Sequence, residues 1–269
     1  LLCGFVVCHA LAPWVAFAMV NLLGWHGDDR VGFFIITCMS PTLASGVVIA
    51  AQAGGDRTLA LMLTVVLTLA GVLCIPFNLR WVLGAEVALN PLELLGKLSL
   101  TVLLPGVIGQ TFRWRLPATV KRHGTLLKQL PIFFLGVTVL ISISQQADAI
   151  MHLTWRRVLE LAIPSLTVHY ALLGVAWFGG GWLKLGFRQR RAVAIVASQK
   201  TLPVAVAVWA GAFAKDFPLA LVPCIVFHLA QIYGDGLIAN WWAKREPLPE
   251  TAEAVADKQA NAARLPGLE

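Results

Sequence analysis

Long apolar runs separated by short polar segments dominate the hydrophobic pattern of this chain. Eight runs reach the roughly 18 to 25 residues that a helix needs to cross about 30 Å of hydrocarbon. They cover residues 1–23, 31–53, 58–78, 92–112, 130–147, 158–178, 192–213 and 217–241. Their length favours helices over the short alternating strands of a membrane barrel. The pattern therefore predicts an all-α integral membrane protein.

Composition and charge agree with this prediction. Hydrophobic residues make up 58% of the 269 residues and charged residues only 13%, which is more apolar side chain than a soluble core would hide. The net charge of +7 comes from loops between the runs, where anionic membrane lipid accounts for it, so we expect lipid and not nucleic acid as a partner.

The basic residues of the loops divide unequally between two alternate sides. One side carries twelve, namely Arg57, Arg113, Arg115, Lys121, Arg122, Lys128, Lys184, Arg188, Arg190, Arg191, Lys244 and Arg245. The other carries six, namely Arg30, Arg80, Lys97, Arg156, Arg157 and Lys215. By the positive-inside rule the first side is cytoplasmic. We therefore expect both ends of the chain inside, in a plasma (inner) membrane.

The apolar runs divide the chain into two groups of helices and a tail. Residues 1–78 hold three spans, 79–91 form a predicted interfacial linker, and 92–241 hold the remaining spans. The tail, 242–269, is rich in Ala, Glu and Pro from residue 246 onwards and is predicted to be disordered and cytoplasmic. The first run starts at Leu1 without Met or a basic segment, which predicts an interior helix of a chain whose beginning is absent.

Two segments resemble each other at an offset of 159 residues. The segment "SPTLASGVVIAAQA" (40–53) aligns with "KTLPVAVAVWAGA" (200–212), pairing Thr42 with Thr201. Their helices are predicted to cross the membrane in opposite directions, and each contains a proline, Pro41 or Pro203. Inverted repeats with interrupted helices are typical of the binding sites of secondary transporters.

The first interruption carries suitable polar groups. Pro41 removes a helical amide, and Thr42, Ser45 and Gly46 follow it with hydroxyls and a flexible backbone. Freed carbonyls and hydroxyls bind cations, and half-helix N-termini face anions. A simple proline kink is the alternative, and the mirrored Pro203 favours the site.

Lys200 lies in the second interruption. An ammonium at the centre of a membrane helix costs about 2.5 to 3.5 kcal/mol, and its stem is too short to reach the interface. A contact with Asp235, at a similar depth on the last helix, is the predicted structural alternative to a ligand role for Lys200. The candidate binding residues are Pro41, Thr42, Ser45, Gly46, Gln199, Lys200, Thr201, Pro203, His228 and Gln231.

Several functions are disfavoured by the sequence. There is no metalloprotease, P-loop or nucleophile-elbow motif and no carboxylate pair placed for acid/base work, so we expect no enzyme. The cysteines lie in apolar runs without a CxxC pair, which predicts neither a disulfide nor a metal site. We also expect no cofactor. His228 and Gln231, one helical turn apart, and the isolated His169 are each open to a structural interpretation as buried groups that bond to backbone. A Schiff base to a retinal-type chromophore at Lys200 is disfavoured, because no aromatic residue lies within the first turn around it.

The chain resembles the bile acid:sodium symporter family, in particular its SBF-like branch, which includes the animal solute carrier family 10 member 7 proteins. The motifs that carry the resemblance are "SPTLASGVVIAAQAGGDRTLALMLTVV", "ASQKTLPVAVAV" and "PLALVPCIVFHLAQ" followed by "WWAKR". The resemblance implies ten helices in two inverted five-helix repeats, with the fourth and ninth helices broken and crossing at the site. This chain would begin at the third helix.

The resemblance also implies a set of ion ligands. Ser45 and Gln199 match family sodium ligands, whereas Gly46 and Lys200 replace asparagines and Ile195 replaces a glutamate. The lost carboxylate and the gained ammonium disfavour a bound cation. We therefore expect a secondary transporter of an organic anion in which Lys200 occupies the space of a sodium, with sodium or a proton as the candidate coupling ion. The alternative is a non-transporting regulator of ion homeostasis with the same fold.

Overall fold

The computed structural model describes residues 1–42, 45–84, 87 and 89–245. Its elements are α1 Leu2–Phe5, π1 Val6–Leu11, α2 Ala12–Leu23, α3 Gly27–Cys38, α4 Ser45–Gln52, α5 Arg57–Leu83, α6 Pro91–Leu98, π2 Ser99–Leu103, α7 Leu104–Arg115, α8 Pro117–Arg122, α9 Gly124–Gln145, α10 Ala147–Met151, α11 Trp155–Trp182, α12 Phe187–Ser198, α13 Leu202–Ala212 and α14 Leu221–Arg245. The described residues contain helices and no strand, which confirms the all-α prediction.

Six helical stretches within the described residues are long and apolar enough to cross a membrane. They are Leu2–Leu23, Arg57–Leu83, Pro91–Arg115, Trp155–Trp182, Phe187–Ala212 and Leu221–Arg245. The predicted run 31–53 is divided between α3 and α4, and the run 130–147 covers the second part of α9 and reaches the first residue of α10. The helix α5 continues to Leu83, into the region predicted as a linker. The first four residues of the predicted tail 242–269 belong to α14, which continues to Arg245, and the remainder lies outside the described residues.

Polar residues at the first turns explain where three long helices begin. Asp56 Oδ1 accepts a hydrogen bond from Leu59 N (3.0 Å) at the start of α5. Asn90 Oδ1 accepts from Leu92 N (3.0 Å) at the start of α6, and Thr154 Oγ1 caps α11. Each cap satisfies a backbone amide that has no partner within the helix.

The two ends of the chain repeat each other with a nearly constant offset. The helices α3 and α12 are both twelve residues long and are separated by 160 positions. At the same offset, Gly24 and Lys184 both have a left-handed backbone, with φ of 63° and 54°. Lys184 is the only non-glycine residue with positive φ within the described chain, so this loop geometry is shared despite its energetic cost.

Contacts between loops show that the two broken helices run in opposite directions. Leu219 N, after α13, donates to Asp28 Oδ1 (2.8 Å) at the start of α3. Asp56 N, after α4, donates to Arg188 O (2.9 Å) at the start of α12. Each pair therefore begins where the other ends, which is the geometry of an inverted repeat.

The first half of each broken helix lies in the centre of the protein. Every residue of 31–40 and of 191–200 is buried. Gly32 permits part of this packing, because a Cβ there would collide with the carbonyl oxygen of Ala220. By contrast, Pro91–Arg115 is mostly exposed. The apolar side chains of 31–40 and 191–200 are therefore enclosed by protein, where polar groups need protein partners.

Candidate functional site

The two helix interruptions meet directly. The first lies between Cys38 and Ser45, and the second lies between Ser198 and Leu202. Thr201 N, in the second interruption, donates to Ser40 O in the first (3.0 Å). The crossing of the broken helices agrees with the implication of the family resemblance.

The two prolines lie at different positions relative to the interruptions. Pro41 is buried inside the first interruption. Pro203 lies in the first turn of α13, where a missing amide costs nothing because that amide has no intrahelical partner. Pro203 therefore starts the second half-helix, and the break itself falls at residues 199–201.

The side-chain amide of Gln199 joins the first interruption to the last helix. Thr42 Oγ1 donates to Gln199 Oε1 (2.5 Å), and Gln199 Nε2 donates to Asp235 Oδ2 (2.6 Å). These partners determine the orientation of the amide, because one requires an acceptor and the other a donor. All three side chains are buried.

The start of α4 completes the surroundings of Thr42. Its hydroxyl oxygen accepts hydrogen bonds from Ser45 Oγ (2.8 Å) and from Gly46 N (2.9 Å). A Cβ at Gly46 would lie 2.8 Å from Gln199 Oε1 and 3.1 Å from Thr42 Oγ1. A side chain at position 46 would therefore displace the Gln199 amide or the Thr42 hydroxyl from the contact between the two breaks.

Asp235 pairs with His169 on α11. His169 Nε2 lies 2.7 Å from Asp235 Oδ1, and His169 Nδ1 lies 3.3 Å from Ser198 O at the end of α12. Both side chains are fully buried. The sequence suggested a satisfied buried histidine, and the structure adds that this histidine is joined through Asp235 to the predicted binding residues.

Lys200 does not form the predicted contact with Asp235. Its ammonium donates to Cys8 O (2.9 Å) and Met39 O (3.1 Å), and lies 3.3 Å from Cys8 Sγ. Among the described ion pairs, Asp235 is paired with His169. The lysine side chain is fully buried, so its charge is solvated by neutral protein groups.

The carbonyl groups that bind the ammonium have no amide partner within a helix, for two local reasons. In π1 the amide of Ala12 bonds to Val7 O, five residues back. In the same pattern residue 13 would bond to Cys8 O, but Pro13 has no amide hydrogen. Met39 follows the end of α3 with an extended backbone (φ −69°, ψ 159°), so its carbonyl lies outside the helical ladder.

Gln231 and His228 hold the backbone of Lys200. Gln231 Oε1 accepts from Lys200 N (2.9 Å), and Gln231 Nε2 donates to Lys200 O (2.5 Å). His228 Nδ1 lies 3.1 Å from the same carbonyl. The amide of Gln231 thus substitutes for a neighbouring backbone segment at the break. His228 and Gln231 are therefore buried groups that bond to backbone, as the structural interpretation of the sequence predicted, and the backbone they hold is that of the proposed site.

Sequence reasoning missed the contribution of the first helix. Cys8 supplies two of the three groups around the Lys200 ammonium, and the adjacent His9 O accepts from Asn78 Nδ2 (2.8 Å). A proline four or five residues after these polar positions was the available signal. Its effect depends on a π-helical turn, which the sequence does not reveal.

Within the described residues, no group of three or more His, Cys, Asp or Glu side chains could hold a metal ion.

A separate cavity of about 580 Å³ lies at the starts of α3, α11 and α14. Its lining includes Asp28, Asp29, Arg157, Leu161 and Val222.

Comparison with known proteins identifies the family. The model of the SBF-like CPA transporter family matches residues 2–244. The chain belongs to this family. The matched range includes both helix breaks and every residue of the hydrogen-bonded network, and the family and its named relatives are transporters rather than enzymes.

Individual relatives share between about a fifth and a third of their aligned residues with this chain. The probable sodium/metabolite cotransporter BASS4, chloroplastic, of Arabidopsis thaliana is 32% identical over 80% of this chain and 52% of its own length. The Oryza sativa subsp. japonica protein of the same name is 28% identical over 90% and 62%. The sodium/bile acid cotransporter 7 of Danio rerio is 22% identical over 84% and 69%. The chain thus spans about three fifths of the length of the rice relative.

Proposed function

We propose that this chain forms the core of a secondary transporter that moves a small organic anion through the crossing of α3–α4 and α12–α13. The observation that carries the proposal is the direct meeting of two broken, oppositely directed helices beside a buried ammonium. A buried charge and an interrupted helix both cost free energy, so they are rare in protein cores and are found mainly at functional sites.

The electrostatics of the crossing favour a negatively charged substrate. The helices α4 and α13 begin at the crossing, so the partial positive charges of their N-termini face it. Lys200 adds a full positive charge held by neutral ligands. Thr42, Ser45 and Thr201 place hydroxyl groups beside these termini; those of Thr42 and Ser45 donate to Gln199 and to Thr42 in the structure. The proposed binding residues are those predicted from the sequence except His228 and Gln231, which hold the backbone of Lys200, with Asp235 and His169 added.

The proposal includes independence from sodium. Oxygen ligands of the kind that bind sodium are present as Cys8 O and Met39 O, but the Lys200 ammonium already occupies them. The family position that carries a glutamate is Ile195, which is buried and apolar. The sodium coupling in the names of the relatives belongs to those proteins, and this chain replaces the ion with its own side chain.

Thermal unfolding of the purified protein in sodium and in choline tests this part of the proposal. A ligand that binds only the folded state raises stability with the logarithm of its concentration over its Kd. We expect no sodium-specific rise for the wild type and a rise for Lys200→Ala, in which the freed carbonyls become available. Lys121→Ala removes an exposed lysine and serves as the matched control. A sodium-specific rise in the wild type would overturn the sodium independence.

Uptake into proteoliposomes tests the transport itself. The probes are a labelled bile acid, chosen from the name of the zebrafish relative, and a set of small mono- and dicarboxylates. We expect saturable uptake of at least one anion, reduced at least tenfold by Gln199→Leu, which removes the link between the breaks. A folded protein that neither transports nor is stabilised by any of these anions would support the regulator instead.

The sidedness and location are also proposals. The unequal distribution of basic residues favours a cytoplasmic position for both ends of the chain, in a plasma (inner) membrane. The loop contacts agree with a two-sided arrangement, because they join segments that the charge distribution assigns to the same side.

A further inference from the structure

We infer that Asp235 and His169 form a binding site for a single proton, and that Gln199 connects its protonation to both helix breaks. This inference deepens the proposed function by naming the coupling ion and the residues that bind it. The inference rests on the hydrogen bonds of Asp235 and His169, residues to which the family resemblance gives no role.

One proton shared by the pair satisfies both of its hydrogen-bond contacts. Ser198 O is only an acceptor, so His169 Nδ1 must carry a hydrogen to bond to it (3.3 Å). The 2.7 Å contact between His169 Nε2 and Asp235 Oδ1 then requires one more proton between the two atoms. That proton lies on the carboxyl or on the imidazole, and either arrangement leaves the pair electrically neutral.

Loss of that proton breaks the geometry. A carboxylate would face the Nε2 lone pair of His169 at hydrogen-bond distance, which is repulsive. The imidazole can restore the bond to Asp235 by moving its remaining hydrogen from Nδ1 to Nε2, but Nδ1 then presents a lone pair to Ser198 O. Deprotonation therefore removes one of the contacts between α11 and the end of α12, at the second break.

Gln199 carries the same change to the first break. Its Nε2 donates to Asp235 Oδ2, and its Oε1 accepts from Thr42 Oγ1. Both oxygens of Asp235 are thus engaged, one by each neighbour, so a movement of the carboxyl group towards or away from His169 displaces the Gln199 amide. A five-residue chain from His169 to Ser45 connects α11, α14, the second break and α4.

Few other ionisable groups surround the pair. Lys200 follows Gln199 in the chain and its ammonium contacts Cys8 O and Met39 O. His228 contacts Gln231, and Tyr170 packs against the His169 ring with centroids 5.4 Å apart. The packed helices α2, α4 and α13 contain no ionisable residue. The other elements packed against α11 and α14 are α1, π1, α3 and α12. Their ionisable residues are Cys3, Cys8, His9, Asp28, Asp29, Arg30, Cys38, Arg188, Arg190 and Arg191. The charged residues of α3 and α12 lie near the first residues of those helices.

The charges suit co-transport of a proton with an anion. With the proton bound, the pair is neutral and Lys200 leaves the crossing with one positive charge, which a monovalent anion neutralises. Without the proton, Asp235 already balances Lys200 and an anion meets a neutral site. Anion and proton therefore bind more tightly together than apart, and this coupling must be reciprocal. This step alone rests on the proposed transport function.

Nitrogen NMR of ¹⁵N-histidine protein in lipid bilayers tests the proton site directly. The probe is the proton alone, varied over the pH range in which the protein remains folded, and His169→Gln identifies the His169 signals. On raising the pH we expect the His169 ring to change from a form with hydrogen on Nδ1 to the Nε2–H tautomer. A His169 ring with the same hydrogen positions at every pH would overturn the inference.

Asp235→Asn provides a variant that mimics the protonated site. The asparagine NH₂ donates to His169 Nε2 while its oxygen accepts from Gln199, so both hydrogen bonds remain. We expect His169 to keep hydrogen on Nδ1 at all pH values in this variant, whereas wild-type behaviour would count against the role of Asp235. If the variant does not fold, the carboxylic acid band of the wild type in infrared difference spectra decides, and its absence together with an unchanged ring would reject the site.

The two proposals fail independently. The NMR experiment contains no organic anion, so a protein that binds the proton but transports nothing would refute only the proposed function. A protein that transports anions with a His169 ring that never changes would refute only the proton site.

Discussion

At the scale of single residues, Lys200 shows what the sequence determines and what it leaves open. Its cost in a membrane helix correctly predicts that the ammonium has partners. Depth in the membrane alone suggested Asp235 as the partner. Depth does not determine the direction in which the Lys200 side chain leaves the interrupted backbone. The acceptors are backbone carbonyls, which every residue possesses, and only the local geometry of π1 and of the first break makes Cys8 O and Met39 O free.

Gly46 provides a residue-scale prediction. We expect Gly46→Ala to lower the free energy of unfolding by about 1 to 3 kcal/mol, the usual cost of overpacking, because the new Cβ would press on Gln199 Oε1 and Thr42 Oγ1. Gly236→Ala on α14 is the control, since nothing lies within 4 Å of its Cβ position. Chemical denaturation of both variants measures the difference, and equal stability of the two would contradict the close approach of the breaks.

A second residue-scale prediction concerns Gln231. Replacement by Met leaves the amide of Lys200 without an acceptor in a buried site, which costs about 1 to 3 kcal/mol. The carbonyl of Lys200 retains His228 Nδ1 as a donor after a change of tautomer. Gln52→Met is the matched control, because the Gln52 amide bonds to Asn240 in an exposed position. A melting temperature as little affected as that of the control would show that the hydrogen bonds between Gln231 and the Lys200 backbone contribute nothing to stability.

At the scale of elements, the sequence predicted the broken helices better than the way they are supported. Pro41, the small residues after it and the offset to Pro203 were sufficient to locate both interruptions. The π-helical turn of the first helix was not predictable, since its side chains resemble those of any apolar span. The contribution of π1 depends on tertiary contacts with Lys200 and Asn78, which override local preference.

Pro13 allows a test of this element. An alanine in a helix is normally more favourable than proline by about 3 kcal/mol. We nevertheless expect Pro13→Ala to destabilise the protein, because the restored amide competes with Lys200 and Asn78 for the carbonyls of Cys8 and His9. Pro76→Ala, inside α5, is the control and should leave stability unchanged or raise it. Parallel denaturation curves decide, and a gain in stability for Pro13→Ala would argue that Cys8 O does not need to be free.

At the scale of the whole molecule, the inverted repeat explains why the loop contacts fall into two groups. Asp56 with Arg188 and Gln52 with Asn240 lie at one end of the helices. Asp28 with Leu219, Arg157 with Asp29 and Lys97 with Gly211 lie at the other. The division of basic residues in the sequence assigns these two groups to opposite sides without using the structure. A chain with antiparallel repeats needs both ends to be closed in this way, because each broken helix begins where the other finishes.

This sidedness leads to a labelling prediction. Arg122→Cys belongs to the side with twelve basic residues and Lys215→Cys to the side with six, and both positions are exposed. We expect a membrane-impermeant maleimide added to intact cells to label position 215 and to reach position 122 only after the membrane is opened, because the side richer in Lys and Arg is cytoplasmic. The wild type is the background control, since Cys8, Cys38 and Cys224 are buried and Cys3 and Cys74 lie half-buried in helices. The opposite labelling order would reverse the orientation while preserving the repeat, whereas labelling of both positions from one side would contradict the two-sided arrangement itself.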